Sequence, residues 1–137
     1  MNLLFYAGSN GVTEQLQRMI KTLVLKEQLE TYRSFEELYK RLHQPKTDFQ
    51  IAVLTASSDQ ELEEILTLQD LLSDIRIILI LPDRTPNTIS KAHKLAPRFL
   101  TYLDSDFGEV RAVLHKMLKN MRSSQIEGEV YHAKILG

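Results

Sequence analysis

Five short apolar runs alternate with segments of helical period, and this alternation constrains the fold more than any other feature of the sequence. The runs are Asn2–Ala7, Leu29–Tyr32, Phe49–Thr55, Arg76–Leu81 and Phe99–Leu103. Three of them are apolar almost throughout, which is typical of strands covered by helices on both faces. The mixed composition of Leu29–Tyr32 instead favours an edge strand. The sequence therefore predicts an α/β domain with a doubly wound, five-stranded parallel sheet.

Start signals in the sequence mark where several of the intervening helices begin. Ser34 with Glu37, and Ser58 with Glu61, have the spacing of a capping box, in which the serine caps the first turn of the helix. Thr85 precedes a proline, a pair that is typical of an N-cap followed by the first helical residue. These signals predict helices that start soon after the second, third and fourth apolar runs.

The chain of 137 residues has the length of one domain with a short extension. Helical periodicity continues to residue 121, so we assign residues 1–121 to one α/β domain and residues 122–137 to a C-terminal tail. Within the tail, apolar and polar residues alternate along Glu129–Leu136, which is the period of a strand. The tail is therefore either an extra strand, which pairs within its own chain or with a second one, or a linker.

Composition excludes several classes of function. Seventeen basic and eighteen acidic residues give a formal charge of -1, so the sequence predicts no general binding of nucleic acid. The chain has no cysteine, which removes disulfides, thiolate nucleophiles and iron–sulfur clusters. Its apolar runs are far shorter than the roughly 20 residues that span a bilayer, and the amino terminus has no signal-peptide pattern. We therefore expect no membrane association and a cytoplasmic location.

No pattern of catalytic or metal-binding residues stands out. The four histidines include no pair at the spacing of helical metal ligands, and no serine lies in a nucleophile-elbow sequence. We therefore expect neither enzymatic activity nor a metal or other cofactor.

The order and spacing of the five β/α units, which start at residue 2, are those of one known family. The segment Thr101–Phe107, Thr-Tyr-Leu-Asp-Ser-Asp-Phe, is similar to that family's fifth-strand segment, which ends in Lys-Pro-Phe. On these features the chain resembles the receiver (CheY-like) domain of response regulators. The resemblance implies a flavodoxin-like, three-layer sandwich with strand order 2-1-3-4-5. It also implies that any ligand crevice lies at the carboxyl ends of the strands.

A receiver needs two acidic residues after the first strand to hold Mg²⁺ and an aspartate at the end of the third to accept the phosphoryl group. It also needs a hydroxyl and a lysine after the fourth and fifth strands. Overlaying the elements assigns these five positions to Ala7, Gly8, Thr55, Pro82 and Ser105. The resemblance therefore implies a degenerate pseudo-receiver that is not controlled by aspartyl phosphorylation.

Receivers commonly bind partners through the surface of the fourth helix, the fifth strand and the fifth helix. On this chain the matching residues are Tyr102, at the end of the fifth apolar run, and Arg111, His115 and Lys119 on the fifth predicted helix. We therefore expect a non-catalytic protein-interaction module in bacterial signalling or transcriptional regulation. It would bind a protein partner or self-associate, as a homodimer through the fifth helix or the C-terminal strand.

A second interpretation rests on the loop after the first apolar run. Its residues Gly8, Ser9, Asn10, Gly11 and Thr13 are similar to the first loop of flavodoxins, and such a loop can hold phosphate at a helix N-terminus. The alternative function is thus a small flavodoxin-like nucleotide or flavin binder. The sequence contains no clear aromatic loops to enclose a flavin ring, and the same glycines also suit a tight strand-to-helix turn.

Overall fold

The computed structural model describes residues 2–8 and 12–121. The chain divides into two units, residues 1–106 and residues 107–137. The first unit contains a five-stranded sheet in which every neighbouring pair is parallel. Its strands are β1 (Asn2–Tyr6), β2 (Leu29–Tyr32), β3 (Phe49–Thr55), β4 (Arg76–Leu81) and β5 (Phe99–Tyr102).

The strand order is β2-β1-β3-β4-β5, which confirms the predicted order and the predicted flavodoxin-like class of fold. The three most apolar strands, β1, β3 and β4, occupy the centre of the sheet, as their composition predicts. Nearly all of their side chains are buried. The edge strand β2 is half-buried along its whole length, which agrees with its mixed composition.

Helices follow each of the first four strands of this unit. They are α1 (Val12–Lys21), α2 (Phe35–Leu42), α3 (Asp59–Leu66), α4 (Gln69–Leu72) and α5 (Pro86–His93), and a short 3-10 turn, Lys26–Gln28, precedes β2.

The predicted N-caps are confirmed for three of these helices. The hydroxyls of Ser34, Ser58 and Thr85 each accept a hydrogen bond from the backbone N–H three residues later. Each cap satisfies a donor that has no partner within the helix, and such a cap stabilises a helix by about 1 kcal/mol.

Two features of the helices depart from simple helical periodicity in the sequence. The apolar positions from Leu62 to Leu72 recur at helical spacing, but they belong to two helices, because α3 ends at Leu66 and α4 begins at Gln69. Ala96 continues the spacing of Ile89 and Ala92, but it lies beyond the end of α5 with a φ of 48°. The proline that follows Ala96 in the sequence disfavours helical backbone at that position, which explains the earlier end.

In the second unit, residues 108–121 form a helix, α6. Val110, Leu114 and Leu118 are buried along one stripe of it. Positions 111, 115 and 119 each follow one of these buried residues and are exposed. They form a stripe beside the buried one, because residues four apart lie little more than one helical turn from each other. The tail of residues 122–137, with its predicted strand, lies outside the described residues.

The described helices are all too short or too polar to cross a bilayer. The cytoplasmic location stays a prediction.

Candidate functional site

The five positions assigned by the receiver resemblance all lie at the carboxyl ends of strands. Ala7 and Gly8 follow β1, Thr55 is the last residue of β3, Pro82 follows β4, and Ser105 lies three residues beyond β5. Because parallel strands end at the same edge of a sheet, the fold brings these positions to one edge. The strand order reverses between β1 and β3, where α/β folds of this type hold their ligands.

The backbone at Gly8 explains why a glycine follows β1. Its φ is +61°, a left-handed conformation that side chains with a Cβ rarely adopt. A Cβ at this position would lie 2.8 Å from Glu61 Oε1 and 3.6 Å from Ser57 Oγ. The backbone carbonyl oxygen of Thr55 would also lie 3.6 Å away. The structure thus brings the start of α3 and the end of β3 against the turn after β1.

Two side-chain oxygens beside this turn, Ser57 Oγ and Glu61 Oε1, are buried without a hydrogen-bond partner among the described residues, and we call them the oxygen cluster. The hydroxyl of Thr55, at the end of β3, also has no such partner. Thr55 is completely buried, whereas Ser57 and Glu61 are half-buried. Most buried polar groups in proteins have a partner, and a buried group without one costs about 1–3 kcal/mol. Each of these oxygens therefore lowers the stability of the fold.

Negative charge around the oxygen cluster affects a neighbouring tyrosine. Tyr6, the last residue of β1, is only 3% exposed. Its pKa is raised from 10.0 to about 12, chiefly because burial disfavours the phenolate and further because the carboxylates of Glu61 and Glu64 repel it. The carboxylates of Glu61 and Glu64 therefore add negative potential at the Tyr6 hydroxyl.

The raised pKa of Tyr6 predicts that the protein loses stability at high pH. The unfolded chain releases the Tyr6 proton near pH 10, while the folded chain holds it until about pH 12. Above pH 10 the folded state therefore binds more protons, so the free energy of unfolding falls as the pH rises. A shift of this size lowers it by about 2–3 kcal/mol by pH 12.

Chemical denaturation over this pH range measures the loss, with Tyr6→Phe as the comparison. The variant should lose clearly less stability than the natural chain between pH 10 and pH 12, because it has no phenol to ionise at this position. Equal losses in the two proteins would contradict the assigned burial of the Tyr6 hydroxyl.

Other acidic residues of α3 are neutralised by a lysine of α5. The ammonium group of Lys91 donates to Asp59 Oδ1 at 2.9 Å and to Glu63 Oε1 at 2.8 Å. These two bonds join α3 to α5. The side chain of Glu61 takes part in no ion pair among the described residues.

A second group of side chains joins the loops after β4 and β5. Arg84 Nη1 donates to Asp104 Oδ2 at 2.6 Å, and Arg84 Nη2 donates to Ser105 Oγ at 3.4 Å. The guanidinium also lies 4.2 Å from the ring centroid of Tyr102. We call this group the Arg84 clamp. Its hydrogen bond lowers the pKa of the Asp104 carboxyl, but the pair is largely exposed and contributes little to stability.

The loop that starts α5 is fixed by its own polar contacts. Asp83 Oδ1 accepts hydrogen bonds from the backbone N–H and the hydroxyl of Thr85, and these bonds lower the pKa of the Asp83 carboxyl. Pro82, just before it, is half-buried and offers no side-chain oxygen to a ligand. The predicted hydroxyl position is thus filled by a residue that cannot play that role.

The remaining predicted residues lie in different places. Tyr102 is half-buried at the end of β5, in the first unit. Arg111, His115 and Lys119 lie together on the exposed stripe of α6, in the second unit.

Of the alternative ligand loop, Gly8 and Thr13 are described, and Thr13 is buried. Ser9, Asn10 and Gly11 lie outside the described residues. Across residues 2–8 and 12–121, no three His, Cys, Asp or Glu side chains meet as a metal-binding group.

The sequence did not indicate that Ser57, Glu61 and Arg84 belong to the site. Ser57 has no motif, and the capping-box spacing predicted Glu61 only as part of the start of a helix. Arg84 belongs to no motif, and its role depends on contacts with residues 20 positions or so along the chain. Contacts over this separation give no local sequence signal.

The parallel sheet and its strand order define a doubly wound α/β domain of the flavodoxin-like class. Comparisons with protein-family models, with curated proteins and with solved structures found no match to this chain.

Proposed function

We propose that this chain is a non-catalytic pseudo-receiver: a protein-interaction module of bacterial signalling or transcriptional regulation that works without aspartyl phosphorylation. The observation that carries the proposal is the state of Thr55, at the position of the phospho-acceptor. Its side chain is completely buried, and its hydroxyl has no hydrogen-bond partner in the part of the chain that the structure describes. A nucleophile must reach its substrate. The completely buried side chain of Thr55 does not meet this condition.

The Arg84 clamp supports the same proposal. In a phosphorylated receiver, ligands after the fourth and fifth strands bind the phosphoryl oxygens, so that group links the two loops. Here Arg84 and Asp104 link the corresponding loops through a direct ion pair. A contact within the chain thus replaces the contacts that the resemblance assigns to phosphate. The position of the two loops does not then depend on a covalent modification.

The exposed stripe of α6 is the proposed partner surface. Arg111, His115 and Lys119 form a basic row on this helix. Tyr102, at the end of β5 in the first unit, is proposed as a contact residue by itself. Basic residues on an exposed helix steer an acidic partner and contribute to the rate of association. The partner is then either another protein with an acidic surface or a second copy of this chain.

The nucleotide or flavin alternative has less support. A phosphate held by the turn after β1 would meet the carboxylate of Glu61, which lies beside Gly8 and forms no ion pair within residues 2–8 and 12–121. Two negative groups at such a distance repel each other, and burial strengthens the repulsion. The proposal therefore assigns this chain no flavin, nucleotide or metal cofactor.

The proposal is tested by two measurements on the intact chain. In the first, the chain is incubated with acetyl phosphate and Mg²⁺, next to a receiver with an intact site as the positive control. Its mass should stay unchanged while the control receiver gains one phosphoryl group. An acid-labile phosphoaspartate on this chain would contradict the proposal.

The second measurement compares capture of a partner, or self-association, between two double variants. Arg111→Glu with Lys119→Glu should weaken binding at least tenfold, since it reverses the basic stripe. Arg18→Glu with Lys21→Glu makes the same change of charge on exposed residues of α1 and should leave binding unchanged. Both should unfold at nearly the temperature of the natural chain, because exposed charges contribute little to stability. Equal binding by both variants would contradict the assigned surface.

A further inference from the structure

An open cavity of about 490 Å³ lies at the amino edge of the sheet, away from the site described above. Arg76, the first residue of β4, and Arg98, the residue before β5, both line it. The other walls come from α4 with the loop after it and from the end of α5, so the whole cavity belongs to the first unit. Sites that hold small molecules typically enclose about 300–1,000 Å³, and this cavity is within that range.

The backbone between α5 and β5 brings two basic residues to this cavity. Lys94 is the C-cap of α5, and Ala96 just after it has the left-handed φ of 48°. A left-handed residue after a helix turns the chain away from the helix axis. The N–H of Arg98 then donates to the carbonyl oxygen of Ile77 at 2.8 Å, which joins this turn to β4. Lys94 and Arg98 therefore line one cavity from the two ends of the turn.

Five charged side chains line the cavity, and all of them are exposed. The basic ones are Arg76, Lys94 and Arg98, and the acidic ones are Asp70 and Asp74. Although both signs of charge are present, none of the five takes part in an ion pair with any residue of the described ranges 2–8 and 12–121. The cavity therefore carries an excess of one positive charge, and its three cations are available to a ligand.

The three cations favour a phosphate group as their ligand. A guanidinium group donates two parallel hydrogen bonds to phosphate oxygens, and an ammonium group adds a compact positive charge. A phosphate monoester carries about 1.5–2 negative charges at neutral pH, whereas a carboxylate carries one. Two arginines and a lysine therefore match a phosphate monoester better than they match a carboxylate.

The acidic side of the cavity indicates the chemistry of the rest of the ligand. Ionised Asp70 and Asp74 only accept hydrogen bonds, so they suit the hydroxyl groups of a ligand. Gln69 and Ser73 line the same side and can both donate and accept. The cavity is also much larger than one phosphate group, which leaves room for a polar body beside the phosphate.

We infer that this cavity binds a small phosphate monoester that carries hydroxyl groups, which is the chemistry of a sugar phosphate. Arg76, Lys94 and Arg98 hold the phosphate, and Asp70 and Asp74 accept hydrogen bonds from the hydroxyls. The inference does not depend on the proposed function, because the cavity shares no residue with the carboxyl edge or with the exposed stripe of α6.

Thermal unfolding of the full chain tests the inference with ribose 5-phosphate as the probe. The sugar phosphate should raise the unfolding temperature by several degrees in a saturable way, because a ligand that binds only the folded state stabilises it. Inorganic phosphate should saturate at a concentration about tenfold higher, since it lacks the hydroxyls of the sugar, and ribose should give no rise. A rise with ribose 5-phosphate no larger than the rise with sodium sulfate at the same ionic strength would overturn the inference.

Two double variants separate binding in the cavity from a general effect of charge. Arg76→Gln with Arg98→Gln should weaken binding of ribose 5-phosphate by about tenfold or more, since both guanidinium groups are lost. Arg18→Gln with Lys21→Gln removes the same charge from exposed positions of α1 and should leave binding unchanged. If the first variant does not fold, Lys94→Gln at the exposed end of α5 should still weaken binding several-fold. Equal binding by the cavity variants and the α1 variant would overturn the inference.

The role of the two carboxylates is tested with Asp70→Ala and Asp74→Ala together. Inorganic phosphate should bind this variant more tightly, because two negative charges near the phosphate are gone. Ribose 5-phosphate gains the same electrostatic benefit but loses its hydroxyl contacts, so the difference in affinity between the two ligands should shrink. An unchanged difference would contradict the assigned recognition of hydroxyl groups.

Discussion

Replacing Thr55 with aspartate is expected to lower the free energy of unfolding by about 3–5 kcal/mol, the usual cost of a buried charge without a partner. The resemblance to receivers would suggest that this change restores a phospho-acceptor. The structure predicts a loss of stability instead, because residue 55 is completely buried. The Glu61 carboxylate also lies beside the adjoining turn, and no cation in the described part of the chain pairs with it. A loss of this size is a large part of the 5–15 kcal/mol that stabilise a typical domain.

Thr55→Val is the matched control for this experiment. Valine has nearly the same shape as threonine and removes a hydroxyl that has no partner, so the variant should be as stable as the natural chain or slightly more stable. Equilibrium unfolding in urea measures both variants at neutral pH. If aspartate were tolerated at residue 55, or if valine cost as much as aspartate, the assigned environment of Thr55 would be wrong.

Gly8→Ala is expected to lower the free energy of unfolding by about 1–3 kcal/mol, the cost of a strained backbone conformation at a non-glycine residue. The φ of +61° at Gly8 disfavours any residue with a Cβ. The new methyl group would also lie 2.8 Å from Glu61 Oε1, so the carboxylate has to move. Part of the cost is therefore backbone strain and part is steric.

A second change separates the two parts. A chain that already carries Glu61→Ala has no carboxylate at this position. In that chain Gly8→Ala should lower the free energy of unfolding by the backbone strain only, without the steric contribution. Gly108→Ala serves as the control glycine, because Gly108 lies at the exposed start of α6 and has no positive φ. That variant should be neutral or slightly stabilising. A full cost at Gly108 and none at Gly8 would contradict the described turn.

The fold could be predicted from the sequence because its signals are local and repeated. The apolar run of β4 predicts a buried central strand, and the serine three residues before Glu61 predicts the start of α3. Strand order came from the resemblance in element order rather than from any single residue. Helix ends were less accurate, since the end of α5 depends on the backbone at Ala96 and on the proline after it.

The site could be predicted only in part, because its key contacts join residues that are distant in sequence. Gly8 was expected to lie in a tight turn, but nothing near it in the sequence indicates that Glu61 would face it. The partner of Arg84 lies on another strand's loop, and no motif links the two. The sequence identifies residues at the carboxyl edge, whereas the oxygen cluster and the Arg84 clamp depend on how the elements pack.

The two sets of ion pairs around α5 have a consequence for how this helix detaches from the fold. Lys91, in the last turn of α5, holds that end of the helix to α3, whereas Arg84 and Asp104 join the loop before α5 to the loop after β5. The last turn of α5 therefore cannot detach from α3 without breaking the Lys91 bonds. Local opening should then start at the proline end of the helix, because the exposed Arg84–Asp104 pair adds little to its stability.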